Sequence, residues 1–131
     1  MRTVIIEDKL SDIRIAARIA RAEGFEDIEA FTSLHEAIER IEQGLRGERP
    51  LPDAIILDLN LGHENGYQVL RHWRETWEDS PMRMVVWSAL GEHNRELCAL
   101  FHIDAFVSKW NGEAALHEVL RQVSGTSPVT I

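Results

Sequence analysis

Four short apolar runs, each closed by a polar group, set the rhythm of this chain. Val4-Ile5-Ile6 leads into Glu7 and Asp8, Ala54-Ile55-Ile56-Leu57 into Asp58, Met84-Val85-Val86-Trp87 into Ser88, and Ala105-Phe106-Val107 through Ser108 to Lys109. Continuous, largely β-branched runs without polar alternation are the pattern of strands covered on both faces of a parallel sheet. Asp27 to Phe31 predicts a fifth strand, with Ile28 and Phe31 as its larger apolar residues, and its mixed character predicts an edge position.

Between these runs the apolar spacing changes to that of helices. Ile13, Ala16, Ala17 and Ala20 make a stripe over Leu10 to Glu23 that stops at Gly24. Ser33 followed by Glu36 is a capping-box pattern that opens a helix through Leu45, with Leu34, Ala37, Ile38 and Ile41 inward. Pro50 and Pro52 cannot continue it and deliver the chain to the strand that ends at Asp58. Further helices are predicted over Gly66 to Trp77, Glu92 to Phe101 and Gly112 to Val123. Five strands alternating with five helices predict an α/β fold, a doubly wound five-stranded parallel sheet in the flavodoxin-like order 2-1-3-4-5. The 131 residues suit one domain, taken as residues 1–124, and residues 125–131, rich in Gly, Ser, Thr and Pro, are expected to be a flexible tail.

Composition narrows the possible partners. A formal net charge of -8 leaves no basic stripe to neutralise phosphates, so direct nucleic-acid binding is not expected. No apolar stretch approaches membrane-spanning length, and Met1-Arg2-Thr3 leads straight into the first strand without a signal peptide, so a cytoplasmic protein without membrane insertion is expected. The single cysteine, Cys98, lies in an amphipathic stretch and reads as a small buried hydrophobe rather than a reactive thiol.

In a parallel sheet all carboxyl ends lie on one edge, where such folds bind ligands. Glu7, Asp8 and Asp58 would crowd negative charge there unless a cation or proton intervenes. An oxygen-only donor set favours a hard ion, and Mg²⁺ accepts one or two carboxylates together with phosphate oxygens. None of the six His residues sits at these strand ends, which argues against zinc. Lys109 and the Ser88 hydroxyl would supply a positive charge and a hydrogen-bond donor for a transferring phosphoryl group, leaving one carboxylate to act as nucleophile. Taken singly, Asp58 and Ser88 read as helix caps and Lys109 as a solvated charge; only the ordered set points to chemistry.

That set resembles the receiver domain of two-component response regulators, over Val4 to about Val123. The family carries an acidic pair after its first strand, a phosphoacceptor Asp after its third, Thr or Ser after its fourth and Lys after its fifth, matched here by Glu7 and Asp8, Asp58, Ser88 and Lys109. Ala89, Gly66 and Phe106 also fall at family positions, Phe106 at that of the rotating aromatic switch residue. The resemblance implies that Asp58 takes a phosphoryl group from a phosphohistidine on a histidine kinase or histidine phosphotransfer protein. It implies Mg²⁺ held by Asp8 and Asp58, by the Asn60 backbone carbonyl and by Glu7 through a water. Lys109 and Ser88 would then bind the phosphoryl oxygens, and Ser88 and Phe106 would shift together to change a docking face for a downstream protein target. Such a domain is a switch rather than a conventional enzyme. A stand-alone receiver is expected, because no output domain follows Val123, and the face around Leu97, Leu100, Phe101 and Trp110 is the expected docking surface.

Several positions depart from the family pattern. Trp110 stands where Pro usually follows the Lys, so a trans peptide and a differently shaped loop are expected. Gly62 replaces a common Pro and Asn65 a frequent Asp, which predicts a looser loop around Asn60, and Glu7 is one methylene longer than the commoner Asp. Trp87 and Trp110 both read as packing residues. Two other classes fit parts of the pattern. A dehalogenase-type phosphotransferase also uses an Asp nucleophile, but it needs a second acid where this chain has Asn60. A pseudo-receiver would keep the fold as a phosphorylation-independent interaction module.

Overall fold

The computed structural model describes residues 1–89 and 91–125, so the tail expected over 125–131 lies outside the described residues apart from Gly125. Strands β1 (Arg2–Ile6), β2 (Asp27–Phe31), β3 (Ala54–Leu57), β4 (Arg83–Ser88) and β5 (Ala105–Ser108) form one parallel sheet in the order β2-β1-β3-β4-β5. Helices α1 (Leu10–Ala22), α2 (Leu34–Leu45), α3 (Tyr67–His72), α4 (Glu92–Ala99) and α5 (Glu113–Val123) cover it. This is the expected flavodoxin-like fold, with β2 at an edge.

The period of two along each strand divides the interior into two cores. Val4, Ile6, Ile55, Leu57, Met84 and Val86 pack with Leu34, Ile41, Val69 and Leu70 of α2 and α3. Ile5, Ile56, Val85 and Trp87 pack with Ala16, Ile19, Leu116 and Leu120 of α1 and α5. At about 1.5–3 kcal/mol per fully buried aliphatic side chain, these cores outweigh exposed ion pairs worth about 0–1 kcal/mol each. The sheet order is therefore held by the apolar strands.

Two helices end differently from the sequence pattern. The stretch expected as one helix to Trp77 is α3 followed by a π turn over Trp73–Trp77, closed by Glu78 N–H donating to Trp73 O at 2.9 Å. A π turn aligns residues five apart, and here it stacks His72 on Trp77 with ring centroids 5.2 Å apart. Helix α4 stops at Ala99 rather than Phe101, because three successive i to i+3 bonds tighten the chain and His102 then turns left-handed at φ 57°. Cys98 is buried in the core, and desolvation pushes its thiol up to about 11, in keeping with an inert residue.

The end of α1 is tied to α5 through Glu23. Its carboxylate lies 2.8 Å from His117 Nδ1 and accepts from Arg121 Nε at 3.2 Å. The His117 hydrogen bond, with Arg121 behind it, holds Glu23 below its usual 4.5. A lowered carboxyl stabilises the fold at pH above its unfolded value and loses that contribution as pH falls through its folded value. Glu23→Gln is therefore expected to cost stability above about pH 5, a gap that closes in more acidic solution. Urea midpoints of the two proteins across pH would check this, and a gap independent of pH would refute it.

Candidate functional site

Strand register builds the site. Ile6 pairs with Leu57 and Leu57 with Val86, so Glu7 and Asp58 emerge side by side, while Ser88 ends β4 beside them, paired with Ser108. Backbone bonds continue past the strand ends, with Asp58 N–H donating to Ile6 O at 3.0 Å and Glu7 N–H to Phe31 O at 3.1 Å. Glu7, Asp58 and Ser88 are buried, whereas Asp8 is exposed and opens the cluster to solvent.

Asp58 is held from both sides. Its Oδ1 accepts from Ser88 Oγ at 3.0 Å and from the Asn60 backbone N–H at 3.1 Å, and its Oδ2 accepts from Lys109 Nζ at 3.0 Å. Lys109 also donates to Glu7 Oε2 at 2.8 Å, and its ammonium lies 4.7 Å from the centre of the buried Trp87 ring. Desolvation works against the Lys109 charge, but hydrogen bonds to Asp12, Glu7 and Asp58 more than reverse it and hold the group above its ordinary value. Burial pushes the Glu7 carboxyl up to about 7, against the Lys109 hydrogen bond and with help from the Asp58 charge. Three carboxylates thus share the single ammonium.

Glu7, Asp8 and Asp58 each offer a carboxylate oxygen, all within 4.8 Å of one another. An oxygen-only donor set, partly buried and open at Asp8, fits a hard divalent cation. Asn60, expected among the ligands, stands directly beyond Asp58 at the start of a short hairpin.

The loops around the site explain the departures. Asn60–Leu61 pairs antiparallel with Glu64–Asn65, so the loop expected to be looser is a hydrogen-bonded hairpin. Its turn requires φ +68° at Gly62, which the ring of Pro forbids. Asn65 Oδ1 accepts from Tyr67 N–H at 2.9 Å and opens α3, and Glu64 Oε1 accepts from Leu34 N–H at 3.2 Å at the start of α2. No described peptide is cis, so Lys109–Trp110 is trans. Lys109–Asn111 forms a 3₁₀ turn in which Ser108 Oγ accepts from Trp110 N–H at 3.2 Å.

Trp110, expected to be a packing residue and also placed on the docking face, is 77% exposed, which suits the second expectation rather than the first. Its indole N–H donates to Ala89 O at 2.6 Å and so links the loop after β5 to the loop after β4. Phe106 is half-buried, with the Arg95 guanidinium 5.0 Å from its ring centre and Arg95 Nη1 donating to its carbonyl at 3.3 Å. On the expected docking face Leu100 is 70% exposed, while Leu97 and Phe101 are half-buried. His63, near Asp58 in sequence, is exposed on the hairpin.

Sequence reasoning missed Asp12, whose Oδ2 accepts from Lys109 Nζ at 2.7 Å. The available signal was an acid in the first turn of α1. That signal is ordinarily explained by the helix dipole, so it did not point to the site.

The sheet order, the crowded carboxylates on its carboxyl edge and the Lys–Asp–Ser contacts define a flavodoxin-like α/β domain with an acidic site at the carboxyl edge of its sheet. The chain belongs to the response regulator receiver domain family, whose model matches residues 3–121. Its fold is shared by the phosphorylated cyanobacterial phytochrome response regulator RcpA, at 21% identity over 98% of this chain and 96% of that one, with a TM-score of 0.76. The Mn²⁺-bound response regulator Rcp1 matches at 18% identity over 99% and 96%, TM-score 0.74. The signal receiver domain of a DNA-binding response regulator from Colwellia psychrerythraea 34H matches at 15% identity over 95% and 98%, TM-score 0.79. No curated protein matches the sequence. Membership places the chain in two-component signalling, and among the described residues no helix is long and apolar enough to cross a membrane.

Proposed function

We propose that this chain is a phosphorylation-dependent switch of a two-component system or phosphorelay, acting in the cytoplasm through a receiver unit of residues 1–124. Asp58 is the phosphoacceptor. The observation that carries this reading is the convergence on one buried carboxylate of Ser88 at 3.0 Å, Lys109 at 3.0 Å and two further acids.

A carboxylate oxygen of Asp58 forms a bond to phosphorus as the phosphorus–nitrogen bond of a donor phosphohistidine breaks, and the electron pair leaves on the imidazole. The donor is a histidine kinase or a histidine phosphotransfer protein. Asp8, Asp58 and the Asn60 carbonyl would hold Mg²⁺, with Glu7 acting through a water; the similar response regulator Rcp1 has been solved in an Mn²⁺-bound form. When bound, the ion offsets the charge of the carboxylates and the phosphoryl oxygens. Asn60 N–H and Ser88 Oγ orient Asp58 through one oxygen, and Lys109 stands at the other as a fixed positive charge. Ser88 then moves from Asp58 to a phosphoryl oxygen, and Phe106 follows into the space, changing the face of α4, β5 and α5 that a downstream protein reads. Hydrolysis of the acyl phosphate resets the switch.

Incubation with acetyl phosphate and Mg²⁺, followed by intact mass spectrometry, is expected to give a single phosphoryl adduct that EDTA prevents. The alternative, a phosphorylation-independent interaction module, draws support from Trp110 in place of Pro after Lys109 and from carboxylate contacts at every Lys109 hydrogen. Absence of any adduct would favour that alternative.

A further inference from the structure

An ammonium has three hydrogens, and those of Lys109 go to Asp12 at 2.7 Å, Glu7 at 2.8 Å and Asp58 at 3.0 Å. Two of these acceptors belong to the carboxylate cluster suited to a cation, and Asp12 does not. A cation on that cluster, or a phosphoryl group on Asp58, engages oxygens that Lys109 now uses. Asp12 is the acceptor left untouched by either event.

Asp12 is also well supported. It stands in the first turn of α1, whose Ala16 and Ile19 are fully buried, so the carboxylate is borne by an element fixed against the sheet. The ammonium also lies 4.7 Å from the centre of the Trp87 ring. The lysine thus contacts both an anion and an aromatic face that lie outside the cation cluster.

We infer that Asp12 is a positioning residue for Lys109, holding the ammonium where an incoming phosphoryl oxygen meets it by supplying an anionic partner outside the cation cluster. This role rests on the reading of Asp58 as phosphoacceptor. Without the Asp12 charge, Lys109 leans on the remaining two acids, competes there with a cation and loses its alignment to the phosphoryl position.

Beryllofluoride, which stands in for the phosphoryl group, gives a direct measurement through tryptophan fluorescence at saturating Mg²⁺. Asp12→Asn preserves shape and removes charge, and its beryllofluoride Kd is expected to rise about tenfold, as for loss of a charge-assisted hydrogen bond. Its Mg²⁺ Kd, read by the same fluorescence without beryllofluoride, is expected to rise a few-fold, and Asp12→Glu is expected to recover much of both affinities. In a Lys109→Met background Asp12→Asn should add nothing, because the effect travels through the lysine. Unchanged beryllofluoride affinity in Asp12→Asn, with wild type binding normally, would overturn the role of Asp12 alone. An equal loss in the Lys109→Met background would also overturn it. Wild type that fails to bind beryllofluoride at all would overturn the phosphoacceptor reading together with it.

Discussion

Asp58→Asn is expected to abolish the acetyl-phosphate adduct and the Mg²⁺-dependent beryllofluoride response, while leaving the protein folded. The amide has no anionic oxygen with which to attack phosphorus, and its charge is gone from the cation cluster. Its carbonyl oxygen can still accept from Ser88 Oγ and Asn60 N–H, the two bonds that orient Oδ1 in the native protein. Burial of Asp58 beside Glu7 costs desolvation and like-charge repulsion, and Asp58 is among the groups that raise Glu7. Removing that charge relieves both terms but also deprives Lys109 of one of three carboxylate partners. Since the other two remain, the urea midpoint is expected to be unchanged or higher. Intact mass spectrometry and a urea titration separate the effects. An adduct on Asp58→Asn at the wild-type extent would show that another residue accepts the phosphoryl group.

Gly66→Ala is expected to destabilise the fold and to weaken the site together. Gly66 has helical angles, φ -59° and ψ -17°, so backbone preference alone would favour Ala by about 0.5–1 kcal/mol. Space decides otherwise. A Cβ there would lie 2.7 Å from Asp58 O and 2.7 Å from Leu59 Cα, both backbone atoms that no rotamer change can move. Overpacking of this kind costs about 1–3 kcal/mol, and with both nearest atoms in the backbone the upper part of that range applies, for a net loss of up to about 2.5 kcal/mol after the propensity gain. Relief of the clash must displace the segment that carries Asp58, so Mg²⁺ affinity should fall as well. Urea unfolding with a parallel Mg²⁺ titration checks both, and a variant more stable than wild type would refute the steric argument.

Much of the architecture is legible in residue pattern. The uninterrupted apolar runs at Val4–Ile6, Ala54–Leu57 and Met84–Trp87 mark the central strands, since only a strand covered on both faces tolerates apolar residues at successive positions. Ile28 and Phe31, set among polar residues, mark the edge strand. Because parallel strands point one way, groups that close these runs must share an edge, and the structure brings Glu7, Asp58, Ser88 and Lys109 into contact there. The hairpin around Gly62 was less legible, because a departure from a family pattern signals change without giving its shape.

Apolar periodicity is a local record of burial, and it suffices for which segments are strands, which are helices and which strands lie at the centre. Contacts between polar groups far apart in the chain leave no such record, because the distance between them depends on how the intervening elements are packed. Asp12 and Lys109 are 97 residues apart and meet only through the crossing of α1 over the sheet. Sequence alone leaves Trp110 between packing and docking, and the 3₁₀ turn after β5 directs it outward to the Ala89 carbonyl. Residue pattern therefore set the sheet and the edge on which charge gathers, and three-dimensional packing chose which of the acids on that edge the lysine holds.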